Sequence, residues 1–134
     1  MIVANSRSVP TVIKGVHDMA INHSLDTFNN QITYLRGALD PDMTALAMAL
    51  FVEVAKHPYN DGVPMSRLVD KFGLSASTAS RNIYLLSSGL VRPNQERKGL
   101  GVLRTETSAS DRRTLMVYLT ARGQAVAKGL MQVK

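Results

Sequence analysis

The sequence predicts a mainly α-helical (α+β) domain, with a long first helix, a helix-turn-helix and then a small β-hairpin. Three observations carry this prediction. Apolar residues recur at helical spacing over residues 25–39, two short helical segments meet at Gly73-Leu74-Ser75, and residues 114–119 alternate as a half-buried strand does.

With 134 residues, the chain is long enough for one hydrophobic core and too short for two, so residues 1–134 read as a single domain. Its 45% hydrophobic and 19% charged residues are ordinary for a globular protein. The longest apolar run, residues 45–55, is broken by Glu53 and falls short of the roughly 20 residues of a membrane helix. Residues 1–10 have no secretory pattern, which predicts a cytoplasmic protein. The absence of cysteine excludes disulfides, thiolate zinc sites and cysteine redox chemistry.

Residues 1–11 mix Asn, Ser, Arg and Pro without a period and read as an arm. Residues 12–39 form a long N-terminal helix, with Leu25, Phe28, Ile32, Leu35 and Leu39 on one face. Asp40-Pro41-Asp42 supplies a cap, a proline suited to the first helical position and an acid near the positive dipole end, so a second helix is expected to start there. Its Met43, Leu46, Ala47, Leu50, Phe51 and Val54 share a face, which makes it the core helix. The breaker-rich stretch from His57 to Gly62 ends it, and Val63-Pro64-Met65 fits a short edge strand, where proline is tolerated. From Ser66 a short helix turns Leu68, Val69 and Phe72 inward until Gly73 stops it. Ser75 caps the next helix, about 76–88, which buries Ala79, Ile83 and Leu86.

Residues 87–101 are rich in Gly, Pro and Asn and carry Arg92, Arg97 and Lys98, a basic loop. Residues 102–107 and 114–119 pair as a hairpin with a polar tip at 108–113, and Thr120 caps a last helix within 120–134. Helices, turn and hairpin in this order make a winged helix-turn-helix, with its core at 40–123 and a two-stranded β-hairpin wing at about 102–119. Charge divides along the same line. Residues 1–80 carry six basic and seven acidic residues, whereas residues 81–134 carry ten and three. The second half either faces a polyanion or is a solvated basic face.

Leu74-Ser75-Ala76-Ser77-Thr78-Ala79-Ser80-Arg81 resembles the start of the recognition helix in MarR-type transcriptional regulators. Asp111-Arg112-Arg113, followed by Leu119-Thr120-Ala121-Arg122-Gly123, resembles their wing and its exit. The similarity covers about residues 40–123 and is strongest over 101–123. It implies a transcriptional regulator that binds double-stranded DNA as a homodimer built by its terminal helices, with room for a small-molecule effector that nothing in the sequence identifies. It also implies that Arg113 pairs with Asp111 to brace the wing tip while Arg112 reaches a minor groove or its phosphates. The chain departs from the family in about a dozen extra residues between Leu86 and Gly101, which either lengthen the recognition helix or form a loop near DNA, and in a short C-terminus.

The residues support this reading without the family. Opposite buried Ala79 lie Ser77, Arg81, Tyr84 and Ser88, a face suited to the major groove, with Arg81 as the base reader because arginine can bond guanine twice. Ser75, Ser77, Thr78 and Ser80 fall in the first turn, where hydroxyls and backbone N–H groups suit phosphate oxygens, or where they serve as caps alone. Arg97, Lys98 and Arg104 suit phosphates better than bases. Strand alternation would place Arg112 and Arg113 on opposite faces, and exposed arginines also occur without function. Tyr84 has three roles open to it: stacking, bonding a phosphate, or packing on the inserted loop. His17 and His23 stand about 240° apart on a helix and do not converge on a metal, and these two and His57 read as structural or surface histidines. No nucleophile motif, phosphate loop or cofactor signature points to an enzyme. The competing class is a winged-helix adaptor that binds another protein in replication or polymerase control.

Overall fold

The computed structural model describes residues 14–58, 61–87 and 99–134. Among these, five helices and three strands follow one another: α1 Lys14–Ala38, α2 Ala45–Ala55, β1 Val63–Pro64, α3 Met65–Phe72, α4 Ala76–Leu86, β2 Leu103–Thr107, β3 Leu115–Leu119 and α5 Ala121–Met131. The arm expected at residues 1–11 lies outside the described residues. No described helix is long and apolar enough to cross a membrane.

The core forms where α2 meets α4, α5 and the sheet. Leu50, Phe51, Leu68, Ile83, Leu86, Leu103 and Val117 are fully buried or nearly so, as their spacing in the sequence requires. Helix α1 follows its apolar period but finds cover only near its C-terminal end. There Leu35 is buried and the Tyr34 hydroxyl donates to the Val126 carbonyl of α5 at 2.9 Å. A Cβ on Gly129 would collide with that hydroxyl, so the α1–α5 crossing depends on a glycine. Leu25 and Phe28, earlier on the same face, remain 54% and 57% exposed.

Helix α2 begins later than the sequence suggests. The Asp40 carboxylate accepts the Asp42 N–H at 2.9 Å, and the Met43 N–H reaches the Asp40 carbonyl at 3.1 Å, so residues 40–43 form a turn of their own. The cap is Thr44, whose hydroxyl accepts the Ala47 N–H at 3.1 Å. A short polar side chain that bonds its own backbone competes with helix initiation, and here that local bond at Asp40 moves the helix start four residues along.

The wing gains a strand over the expected hairpin. Val63 and Pro64 pair antiparallel with Val117 and Met116, which gives a three-stranded sheet in the order β1-β3-β2. Pro64 sits on an edge strand, where its missing N–H is tolerated. Thr120 caps α5 by accepting the Gly123 N–H at 3.0 Å, and it donates to the Gly101 carbonyl at 2.6 Å, which ties the end of the sheet to its beginning.

Glu53 breaks the apolar run yet is buried, with 9% of its side chain exposed. Burial pushes its carboxyl upward, and hydrogen bonds and charge from Lys56 and Lys71 outweigh that effect, so its pKa is held below the ordinary 4.5. Lys56 lies one turn away at 3.1 Å, while Lys71 comes from α3 at 3.2 Å and links the two helices. A carboxyl with a depressed folded-state pKa stabilises the fold above its unfolded pKa and loses that contribution as pH falls through the folded value.

Two outcomes follow. Thr44→Ala lowers unfolding stability in urea by about 0.5–2 kcal/mol, the loss typical of a helix cap. Glu53→Gln makes the melting temperature less dependent on pH below about 4.5 than that of the wild type, because no carboxylate is then left at this position to protonate. An unchanged acid limb in the Gln variant would show that Glu53 contributes nothing there.

Candidate nucleic-acid interface

Helices α3 and α4 meet through Gly73, whose left-handed backbone (φ 61°, ψ 44°) lets the Leu74 N–H reach the Val69 carbonyl at 3.0 Å. Few residues other than glycine adopt that conformation readily. Ser75 then caps α4. Its hydroxyl accepts the Thr78 N–H at 3.1 Å and donates to the Thr78 hydroxyl at 2.9 Å, with the Ser77 hydroxyl 3.3 Å away. Of the two roles open to Ser75 in the sequence, capping is the one this geometry displays.

With Ala79, Ile83 and Leu86 buried, α4 turns Ser77, Arg81 and Tyr84 to solvent, and Tyr84 is 48% exposed. These three stand four and three positions apart and form one strip along the helix. Thr78 and Ser80 flank it half-buried. The helix ends at Leu86, and Ser87 leaves it in extended conformation (φ −87°, ψ −178°). The extra residues therefore do not lengthen the recognition helix as one of the two expectations had it. Ser88, Arg97 and Lys98, which the sequence proposes for the interface, lie outside the described residues.

The wing tip is a compact turn held by one carboxylate. Asp111 Oδ1 accepts the Arg113 N–H at 3.0 Å and Oδ2 accepts the Thr114 hydroxyl at 3.0 Å, while the Ser108 N–H closes the loop on the Thr114 carbonyl at 2.7 Å. Two expectations need correction here. Among the described residues no ion pair joins the Arg113 and Asp111 side chains, and the brace runs to the Arg113 backbone. Strand alternation does not govern Arg112 and Arg113 either, because both lie in a turn before β3 begins. Both are exposed, and Arg113 lines a cleft of about 370 Å³ with Ser66 and Asp70 of α3 and Ala76 in the first turn of α4. One turn of backbone thus presents two guanidinium groups, one of them beside the start of α4.

Arg104 is placed differently from the tip arginines. It sits on β2, bound to Glu106 at 2.8 Å with its guanidinium 4.3 Å from the Tyr118 ring centroid. The sequence reading names Arg104 but neither of these companions. The i, i+2 spacing of Arg104 and Glu106 along a strand was the available signal, whereas Tyr118 enters only through the register.

With this geometry in place, known structures supply a comparison. No protein-family profile and no curated relative matches the sequence. Solved structures do. A MarR transcriptional regulator from Methanosarcina mazei superposes with a TM-score of 0.56 at 15% identity, covering 87% of this chain and 74% of that one. The fold is the winged helix of the MarR-type regulators. The S. aureus MepR–DNA complex matches at TM-score 0.59 and 15% identity over 88% of this chain and 81% of MepR. PcaV from Streptomyces coelicolor, solved with its natural ligand, matches at TM-score 0.53 and 16% identity over 93% and 77%. The MarR-type winged helix thus emerges from structure where no sequence profile reaches it.

Replacing Asp111 by Ala removes both bonds that its carboxylate makes at the tip. Amide exchange over residues 108–114 should speed up, while global stability falls by no more than about 1 kcal/mol, since exposed hydrogen bonds contribute little net energy. Unchanged exchange at the tip would show that the carboxylate does not hold the turn.

Proposed function

We propose that this chain is a sequence-specific regulator of transcription that binds double-stranded DNA, with α4 in the major groove and the wing tip on a minor groove or its phosphates. One observation carries the reading: the strip of Ser77, Arg81 and Tyr84 and the exposed pair Arg112 and Arg113 stand on the recognition helix and wing of a MarR-type winged helix. MepR, which shares that fold, is known in complex with DNA. In this reading Arg81 reads a base. Ser77, Thr78, Ser80 and Tyr84 line the groove or its phosphates, and Ser75 caps the helix beside them. Arg112 and Arg113 grip the flanking backbone from a tip shaped by Asp111. Arg104, with Arg97 and Lys98 on the inserted segment, adds phosphate contacts.

The same reading takes the functional unit to be a homodimer. Ile21, Leu25 and Phe28 leave an apolar stripe on α1 at 38–57% exposure. Beside it Phe28, Ile32, Met48, Val52 and Leu130 line an apolar groove of about 450 Å³. A second copy covering this stripe would have to hold its α4 roughly 34 Å from the first for the two to meet half-sites one turn of DNA apart. PcaV is known with a natural ligand bound, and a small-molecule effector is proposed for this chain by the same likeness.

Fluorescence anisotropy on labelled duplexes over a range of salt tests the reading. Arg81→Ala should lose about 1–3 kcal/mol of discrimination between a selected site and random sequence. Arg112→Ala should weaken binding to every duplex and lower the salt slope by about one. Absence of duplex binding at low salt would return the chain to the protein-adaptor class.

A further inference from the structure

Thr78, in the first turn of α4, carries both a hydroxyl and a methyl, and the helix cap has already engaged the hydroxyl. Ser75 Oγ accepts the Thr78 N–H at 3.1 Å and donates to Thr78 Oγ1 at 2.9 Å. A β-branched side chain has few staggered positions in a helix, so fixing Oγ1 fixes the γ-methyl with it. Thr78 is half-buried and stands three positions before exposed Arg81, close enough to be its neighbour on the helix surface. Asn82, four positions on along the same flank, gives an amide N–H to the Thr78 carbonyl at 2.9 Å. That bond lays the amide along the helix, whereas bidentate recognition of adenine needs it to project. Ala76 offers the other accessible methyl of this turn, but it lines the cleft beside Arg113, about 200° round the helix from Thr78.

We propose that Thr78 is a specificity-determining residue whose γ-methyl meets the C5-methyl of a thymine close to the guanine that Arg81 reads. This rests on the DNA-binding reading and gives Thr78 a base in place of a choice between groove and phosphate. The N-terminal residues of a recognition helix are the ones that contact base edges. Thymine alone presents a methyl group in the major groove, and the methyl of threonine is a fitting partner for it. Cytosine lacks that methyl. Thr78 and Arg81 lie about 4.5 Å apart along the helix axis, little more than the roughly 3.4 Å rise of one base step. The two bases are therefore adjacent or nearly so, and one turn of helix reads both.

The test starts from the duplex that the wild-type protein selects out of a random pool. Each thymine of that duplex is replaced in turn by deoxyuridine, which removes only the C5-methyl, and affinity is read by anisotropy at one salt concentration. A guanine belongs to Arg81 where changing it matters to the wild type and not to Arg81→Ala. One thymine within about two base pairs of that guanine should lose about fourfold in affinity as deoxyuridine, the worth of one buried methyl-sized group. Thr78→Ser keeps the hydroxyl and drops the methyl, and it should bind the two duplexes alike. Thr78→Val keeps the methyl and drops the hydroxyl, and it should still prefer thymine by the same ratio. Thermal melting of each variant confirms that it is folded. A thymine preference that survives in Thr78→Ser, or that vanishes in Thr78→Val, overturns the proposal. Wild-type protein that binds no duplex, or selects no sequence, overturns the DNA-binding reading together with this one. A selected site that depends on Arg81 but is indifferent to deoxyuridine overturns this inference alone.

Discussion

Ten of the eleven residues of α2 are apolar, and a helix that is apolar all round has to be covered all round. The rest of the fold answers that demand. Helices α4 and α5 and strand β3 pack against it, and Leu50, Phe51 and Val54 end at 2% exposure or less. The one acid on α2, Glu53, is tolerated because Lys71 reaches it from α3 and Lys56 from the next turn. A buried charge without a partner would be strongly destabilising. On the side toward α1 the cover is incomplete, since Met48, Ala49 and Val52 face Phe28 and Ile32 across an open groove.

The same demand sets the orientation of α4. Its inward face is given to the core through Ala79, Ile83 and Leu86, and at about 100° per residue the strip opposite them is fixed without further choice. Arg81 and Tyr84 are therefore presented to solvent as a consequence of packing, not by contacts of their own. Gly73 and Ser75 set the angle at which α4 starts, the first through a left-handed backbone and the second through its cap. Because α3 buries only Leu68 fully, this turn does much to set how α4 follows it, while the Glu53–Lys71 link ties α3 back to α2.

What could be read from the sequence was local and periodic. The stops and caps at Gly73, Ser75 and Thr120 were legible because one residue type satisfies one known need. The buried faces of α4 and β3 followed from their periods of 3.6 and 2. What escaped depended on residues distant in sequence or on competition between neighbours. Asp40 and Thr44 both suit a helix cap, and the turn that Asp40 closes with the Asp42 N–H leaves Thr44 to cap α2. Glu53 looked like an interruption, because its partner Lys71 lies eighteen positions away. Arg112 and Arg113 were assigned opposite faces by a strand rule that stops applying once the tip becomes a turn. Tyr118 could join Arg104 only after the register was known.

The chain between α4 and β2 leaves the core and returns to it at the end of one helix. The last four carbonyls of a helix lack partners within it, and here all four are met close by. Ser87 N–H serves Ile83 and Tyr84, Leu100 N–H serves Leu85 at 2.8 Å, and Val102 N–H serves Leu86 at 2.9 Å. Gly99 passes so close to the Ser87 carbonyl that no Cβ would fit. The chain thus leaves and rejoins at one point, and the helix end is capped by the returning strand whatever the length between. Since loop-closure entropy grows only with the logarithm of length, about a dozen added residues leave the core nearly untouched. Those residues include Arg92, Arg97 and Lys98. Between the anchors at Ser87 and Leu100 the sequence can therefore carry three basic residues without any change in the core.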